Sequence, residues 1–225
     1  MKKLIFCALL CALTSFSRAD EGMWMLNRID EKTAAAMQSL GLELTPDQLY
    51  STEHASLKDC VVDFGDFCSG VVVSQDGLVF TNHHCGYGAI QSLSTPEDDI
   101  LTNGFVAYKR KMERPVDGLF VKFLQRTEEC TERIMKALNE IYEAHPDKSK
   151  AELSKQYTDS IMGAVEKELQ EANPGLECQV KRYYSSNAFY ASFYKIYRDI
   201  RLVFTATSAI FPPLLSPCAP HVRRC

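Results

Sequence analysis

Several patterns are missing from this chain, and each absence removes a class of function. No phosphate-cradling glycine loop, no HExxH helix and no CxxC pair occurs, so nucleotide-binding, metalloprotease and dithiol-redox readings find no support. The 25 Lys and Arg residues are outnumbered by 29 Asp and Glu and form no stripe; the net charge of −4 therefore points to no nucleic-acid partner. The one apolar run near the start, residues 4–16, is too short to span a bilayer, so no membrane span is expected in the mature chain. Nowhere does a serine stand between Gly-Asp or Gly-Asn and a following Gly, the setting that lets backbone N–H groups form an oxyanion hole.

What is present begins with a leader. Lys2 and Lys3 precede the apolar run, and Ser17 and Ala19 offer small residues for cleavage before Asp20; residues 1–19 read as a signal peptide and the product as exported, periplasmic or secreted. Apart from Cys7 and Cys11, the nine cysteines would then meet an oxidising compartment. Residues 20–54 read as an amino-terminal arm of short helices, with Thr45 as an N-cap and Pro46 in the first turn. Residues 55–126 are β-rich, with strands expected near 60–64, 70–74, 78–82 and 119–124.

From Thr127 the period changes. Cys130, Ile134, Leu138 and Ile141, then Leu153, Tyr157, Ile161, Val165 and Leu169, fall at helical spacing, interrupted by His145-Pro146-Asp147 and ended by Pro174-Gly175. Residues 127–177 therefore read as a helical insertion, whose ends a Cys130–Cys178 bridge would clamp. Residues 178–204 return to strand, because Tyr, Phe, Val and Ile dominate and Ser185 to Asn187 can turn. The aromatic run there reads as sheet core, not as a base-stacking surface. Residues 205–225 contain no acid and no glycine but four prolines and an Arg-Arg pair, and read as an anomalous tail, either a frameshift or a divergent end.

The most informative stretch is the hairpin CSGVVVSQDG-LVFTNHHCGYG. With Asp76 and Gly77 at the centre of its turn, Cys68 falls opposite Cys85, offering a cross-strand disulfide beside a histidine. This layout resembles the histidine segment of chymotrypsin-like serine peptidases. More narrowly, TNHHCGYGAIQ (81–91), DEGMW (20–24), GFVAYKR (104–110) and YRDIRLVF (197–204) together resemble the bacterial dipeptidyl-peptidase family that includes dipeptidyl-peptidases 7 and 11, over residues 20–204.

The resemblance implies an α+β fold: a partial chymotrypsin-like β-barrel with an inserted helical segment, its strand edges lacking their usual neighbours. It implies a serine-type dipeptidyl-peptidase lineage, removing dipeptides from the free amino terminus of peptide substrates with neither metal nor organic cofactor. It also assigns His84, directly before the half-cystine, as the general base. A bridge beside that residue would limit drift of the imidazole, and a misplacement of about 1 Å can cost on the order of a hundredfold in rate.

His83 reads as a packing residue. A metal site of His83, His84 and Cys85 is disfavoured because successive strand residues face opposite ways and a disulfide consumes the thiolate. Asp98, Asp99, Asp117 and Asp199 are the downstream acids, and spacing cannot choose among them; the family's Asp and Ser lie in regions this chain replaces or lacks. Ser69, Ser208 and Ser216 have no flanking glycine pair. The chain alone is therefore expected to be inactive, and a catalytically dead secreted module that binds a peptide or protein, or a non-functional gene product, stands as the alternative.

Overall fold

The structure is a computed structural model that describes residues 24–207 and the backbone of 221–224. The leader, Cys218 and Cys225, Ser208 and Ser216 lie outside the described residues. Two compact units divide at Pro46 and Asp47. In the first, α1 (Glu31–Ser39) is opened by Asp30, whose carboxylate accepts the Thr33 N–H at 2.7 Å; that hydrogen bond holds the Asp30 pKa below its ordinary value. The one-turn helix α2 (Pro46–Leu49) follows, with proline at its first position.

The second unit is a mixed α and β assembly around antiparallel strands. In chain order these are β1 (Val61–Phe64), β2 (Cys68–Val72), β3 (Leu78–Thr81), β4 (Phe105–Val106), β5 (Arg114–Pro115), β6 (Val121–Glu129), β7 (Glu177–Tyr183), β8 (Ala188–Tyr197), β9 (Ile200–Thr205) and β10 (His221–Arg224). Neighbours run β4-β9-β10-β3-β2-β1-β6-β8-β7, with β5 also on β9. Among the described residues four α-helices accompany them: α3 (His83–Leu93), α4 (Ile100–Asn103), α5 (Thr131–Ala144) and α6 (Lys150–Ala172).

One expectation is corrected within this sheet. Residues 221–223 of the tail pair with β3 and residues 221–224 with β9, while among the described residues β4 and β7 remain the two ends of the strand order. Strand β6 runs on to Glu129, past the point where the helical pattern was expected to begin. Its ladder with β8 continues through Thr127↔Ser192, Glu128↔Ala191 and Glu129↔Tyr190, and the Thr127 and Ser192 hydroxyls meet at 3.2 Å. Cross-strand pairing with a long partner outweighs the local helical period.

The helical pair packs as its periodicity predicts. Ile134 and Leu138 of α5 and Val165 of α6 form one core with Val180, Phe189, Ala191 and Phe193 of β7 and β8. Each of the Val, Leu, Ile and Phe side chains among them contributes about 1.5–3 kcal/mol when fully buried. The loop His145-Pro146-Asp147 separates the helices, and Ser149 caps α6 by accepting the Glu152 N–H at 3.2 Å. A second core, Val62, Phe64, Val79, Cys85, Val121 and Ile200, lies under the hairpin.

Cys130 and Cys178 share the first core but are free thiols, which corrects the bridge expected between them. The reason is register. Cys178 lies opposite Phe193 on one side of β8, whereas Cys130 is level with Phe189 on the other, its N–H donating to the Phe189 carbonyl at 2.9 Å. Two strand spacings and four residues separate their backbones by roughly 15 Å, well beyond disulfide range. Burial pushes both thiols up, Cys178 to about 11, so they stay protonated.

Between the two cores sits a buried cation. Lys122 on β6, 1% exposed, reaches Asp66 at 2.6 Å and also Glu177 at the start of β7. Burial alone would lower the Lys122 pKa, but the two carboxylates outweigh it and raise it; in return Lys122 holds Asp66 below its ordinary 3.8.

Because the acids are half-exposed and the lysine is not, removing the acids should hurt more than removing the base. The double change Asp66→Asn with Glu177→Gln is expected to cost about 3–5 kcal/mol in urea unfolding by stranding a buried charge, while Lys122→Met stays within about 1 kcal/mol of wild type. The Asp66 contribution is present above pH 3.8 and is lost as pH falls through its lowered folded value; acid titration of the Asp66→Asn variant should lack that loss.

Candidate functional site

Chemistry-bearing residues converge where β3 runs into α3. The hairpin before it does not turn where the sequence placed its centre. Gly70 pairs with Thr81, Val71 with Phe80 and Val72 with Val79, a register that makes Gln75 and Asp76 the central turn residues. Gly77 follows at φ 77°, its N–H donating to the Ser74 carbonyl at 3.2 Å, and the Ser74 hydroxyl accepts the Leu78 N–H at 3.1 Å. A turn over Ser74–Gly77 that ends on a left-handed glycine thus replaces the expected two-residue Asp-Gly turn.

In that register Cys85 has no place opposite Cys68 on the ladder, and indeed it is not on a strand. Strand β3 ends at Thr81, Asn82 turns the chain with φ −71° and ψ 150°, and His83, His84 and Cys85 form the first turn of α3. The Cys85 N–H donates to the Asn82 carbonyl at 3.0 Å. This turn swings Cys85 inward, where it is 6% exposed, and its sulfur is bonded to that of Cys68 across a Cα–Cα distance of 6.0 Å, inside the usual range. A second tie lies alongside: the Thr81 hydroxyl donates to the Ser69 carbonyl at 2.8 Å. Gly70 permits the close approach, because a Cβ there would meet a Val79 methyl at 2.7 Å.

His84 is thereby fixed by its neighbour while its own side chain is exposed. His83 is half-buried and stacks edge-on against Tyr87, ring centroids 6.0 Å apart. The His84 ring nitrogen and the sulfurs of Cys68 and Cys85 lie within 4.8 Å of one another, so His84 and not His83 shares the bridge's surroundings.

Three of the four candidate acids are engaged elsewhere. Asp98 takes Arg114 at 2.5 Å, Asp99 caps α4 by accepting the Thr102 N–H at 3.0 Å, and Asp199 pairs with Arg201 at 2.9 Å. The hydrogen bond from Thr102 holds Asp99 below its ordinary pKa. None of these bonds reaches His84. Ser69 is an exposed residue of β2.

One arrangement escaped sequence reasoning. Ser51 Oγ lies 3.1 Å from His54 Nδ1, and His54 Nε2 lies 2.7 Å from an Asp47 carboxylate oxygen, beside a hollow of about 500 Å³ that Lys58, Gln125 and Arg126 help line. The only hint in the sequence was the Ser-x-x-His spacing. Its likeness to a nucleophilic triad is superficial: Ser51 is 6% exposed, and its Oγ also accepts the N–H groups of Glu53 and His54 at 3.3 and 3.4 Å, so it braces its own turn.

The profile of the Peptidase S46 family matches residues 19–211. The chain belongs to the peptidase S46 family. Its curated relatives include dipeptidyl-peptidase 7 of Porphyromonas gingivalis, 37% identical over 92% of this chain and 28% of that protein, and the Asp/Glu-specific dipeptidyl-peptidase of the same organism, 38% identical over 93% of this chain and 29% of that protein. Among solved S46 structures, Porphyromonas endodontalis DPP11 in complex with substrate superposes with a TM-score of 0.76 at 31% identity, covering 91% of this chain and 31% of that one. The chain thus spans under a third of the length of the relatives it matches.

The bridge is the main covalent restraint on this site. Replacing Cys68 and Cys85 together by Ala is expected to lower stability by about 2–4 kcal/mol, read as a drop in urea midpoint, since the closed loop spans a separation of 17 residues. Gly70→Ala should also destabilise, through its Val79 clash, without altering the thiol count.

Proposed function

We propose that this chain is the histidine-bearing portion of an exported serine-type dipeptidyl-peptidase, with His84 as the proton-transfer residue of a partial trypsin-like barrel. One observation carries the reading: an exposed imidazole held at a helix start by a disulfide to the adjacent strand, within a segment matched by S46 relatives. Those relatives are named as dipeptidyl-peptidases, and the similar Porphyromonas endodontalis DPP11 was solved with the dipeptide Arg-Glu bound. The substrate proposed here is accordingly a peptide with a free amino terminus.

In the complete reaction a serine hydroxyl attacks the second peptide carbonyl. His84 takes the hydroxyl proton, then returns it to the departing amine, and water later resolves the acyl-enzyme with the same imidazole as base. An imidazole suits both transfers because it changes charge near neutrality. This sequence provides no glycine-flanked serine, so the chain by itself carries the base without the nucleophile and is inactive.

The test is a hybrid. Residues 20–204 of this chain, spliced in place of the corresponding segment of a full-length dipeptidyl-peptidase 7, should yield an enzyme active on dipeptidyl fluorogenic substrates. His84→Ala in that hybrid should lower kcat by about 10⁴-fold or more, whereas His83→Ala should not. Equal losses for the two histidines would contradict the assignment of His84, and turnover by the unspliced chain would contradict its inactivity in isolation.

A further inference from the structure

The residues around the bridge form a metal-binding set in one redox state and not in the other. We propose that reduction of the Cys68–Cys85 bond converts this spot into a Zn(II) site held by Cys68, Cys85 and His84, with the fourth position open to water. The inference rests on geometry and stands whether or not His84 is a peptidase base. In the oxidised state both sulfurs are spent on each other. Their position beside a ring nitrogen, all three donor atoms within 4.8 Å, nonetheless leaves little movement to reach a tetrahedral site. Zinc at about 2.3 Å from sulfur and 2.0–2.1 Å from nitrogen spaces these ligand atoms by about 3.5–3.8 Å.

Three features favour the ion once the bond opens. Cys85 is the third residue of α3, an 11-residue helix whose N-cap, Asn82, makes no side-chain cap hydrogen bond, so the positive end of the helix dipole favours its thiolate. Cys68 is half-buried and His84 exposed, giving solvent access for the ion and for a fourth ligand. The adjacency that argued against histidine and cysteine converging assumed a strand, whose neighbours face opposite ways; on a helix they diverge by only about 100°, and here the donor atoms of both lie within 4.8 Å of each other and of the Cys68 sulfur. Two thiolates with one imidazole match zinc and cobalt better than the hard cations.

The chemistry balances with an external reductant. A phosphine gives two electrons to the S–S bond and takes oxygen from water to become its oxide, leaving two thiols; binding Zn(II) then releases the two thiol protons. The bound imidazole nitrogen no longer has a lone pair for a proton, so the zinc form cannot use His84 as a base.

The experiment uses Co(II) as a spectroscopic stand-in, on the full chain carrying Cys60→Ser, which removes the exposed free thiol among the described residues, together with Cys218→Ser and Cys225→Ser. After phosphine treatment and anaerobic desalting, the protein should bind one equivalent of Co(II) more than the oxidised protein, with a thiolate-to-metal charge-transfer band. Cys68→Ser should abolish that band, and His84→Ala should weaken binding by at least about tenfold, since loss even of an outer-shell partner costs that much. Zn(II) should raise the Tm of the reduced protein and leave that of the oxidised protein unchanged. No additional equivalent, a band equally strong in Cys68→Ser, unaltered affinity in His84→Ala, or a reduced chain that is unfolded by circular dichroism and stays so with metal would each overturn the proposal.

Discussion

Everything this structure offers to chemistry depends on one covalent restraint, the cystine joining the middle of the sheet to the first turn of α3. Without it the segment after β3 is a short helix start whose entering residue, Asn82, makes no capping bond with its side chain. With it, Cys85 is drawn into the core formed by Val62, Phe64, Val79 and Val121, and the residue before it is turned outward. A helix advances about 100° per residue, so burying one position of its first turn displays its neighbour. The bridge therefore both fixes the imidazole and exposes it.

Much of this was legible in the residues, and the errors have a common cause. Apolar spacing located α5 and α6 because a helix's buried stripe is a local property, seen in Ile134, Leu138 and Val165. The Cys68–Cys85 proximity was legible too, but it has a different physical cause: with the turn centred one residue earlier the two cysteines do not face each other on the ladder, and the helical turn after β3 brings Cys85 to Cys68. Partners contributed by distant segments left little trace. The extension of β6 to Glu129 is set by β8, more than 60 residues later, and the separation of Cys130 from Cys178 follows from their places on opposite sides of that same strand.

The buried Lys122 shows the same limit. In the sequence it is one of 25 basic residues with nothing to mark it. In the fold it sits where the strands beneath the histidine meet those carrying the helical pair, and it joins Asp66, in the β1–β2 turn at φ 67°, to Glu177 at the start of β7. A fully buried ammonium persists only when paired, so this position ties the two cores together through charge in addition to the ladder between β1, β6 and β8. The seat of His84 is thus supported from below by packing and from the side by a cystine.

Mass-spectrometric mapping of the non-reduced, alkylated protein tests the central claim most directly. The account predicts one linked peptide pair joining Cys68 to Cys85, with Cys130 and Cys178 recovered as alkylated thiols once the protein is unfolded. Recovery of Cys85 as a free thiol, or linked to a partner other than Cys68, would contradict it.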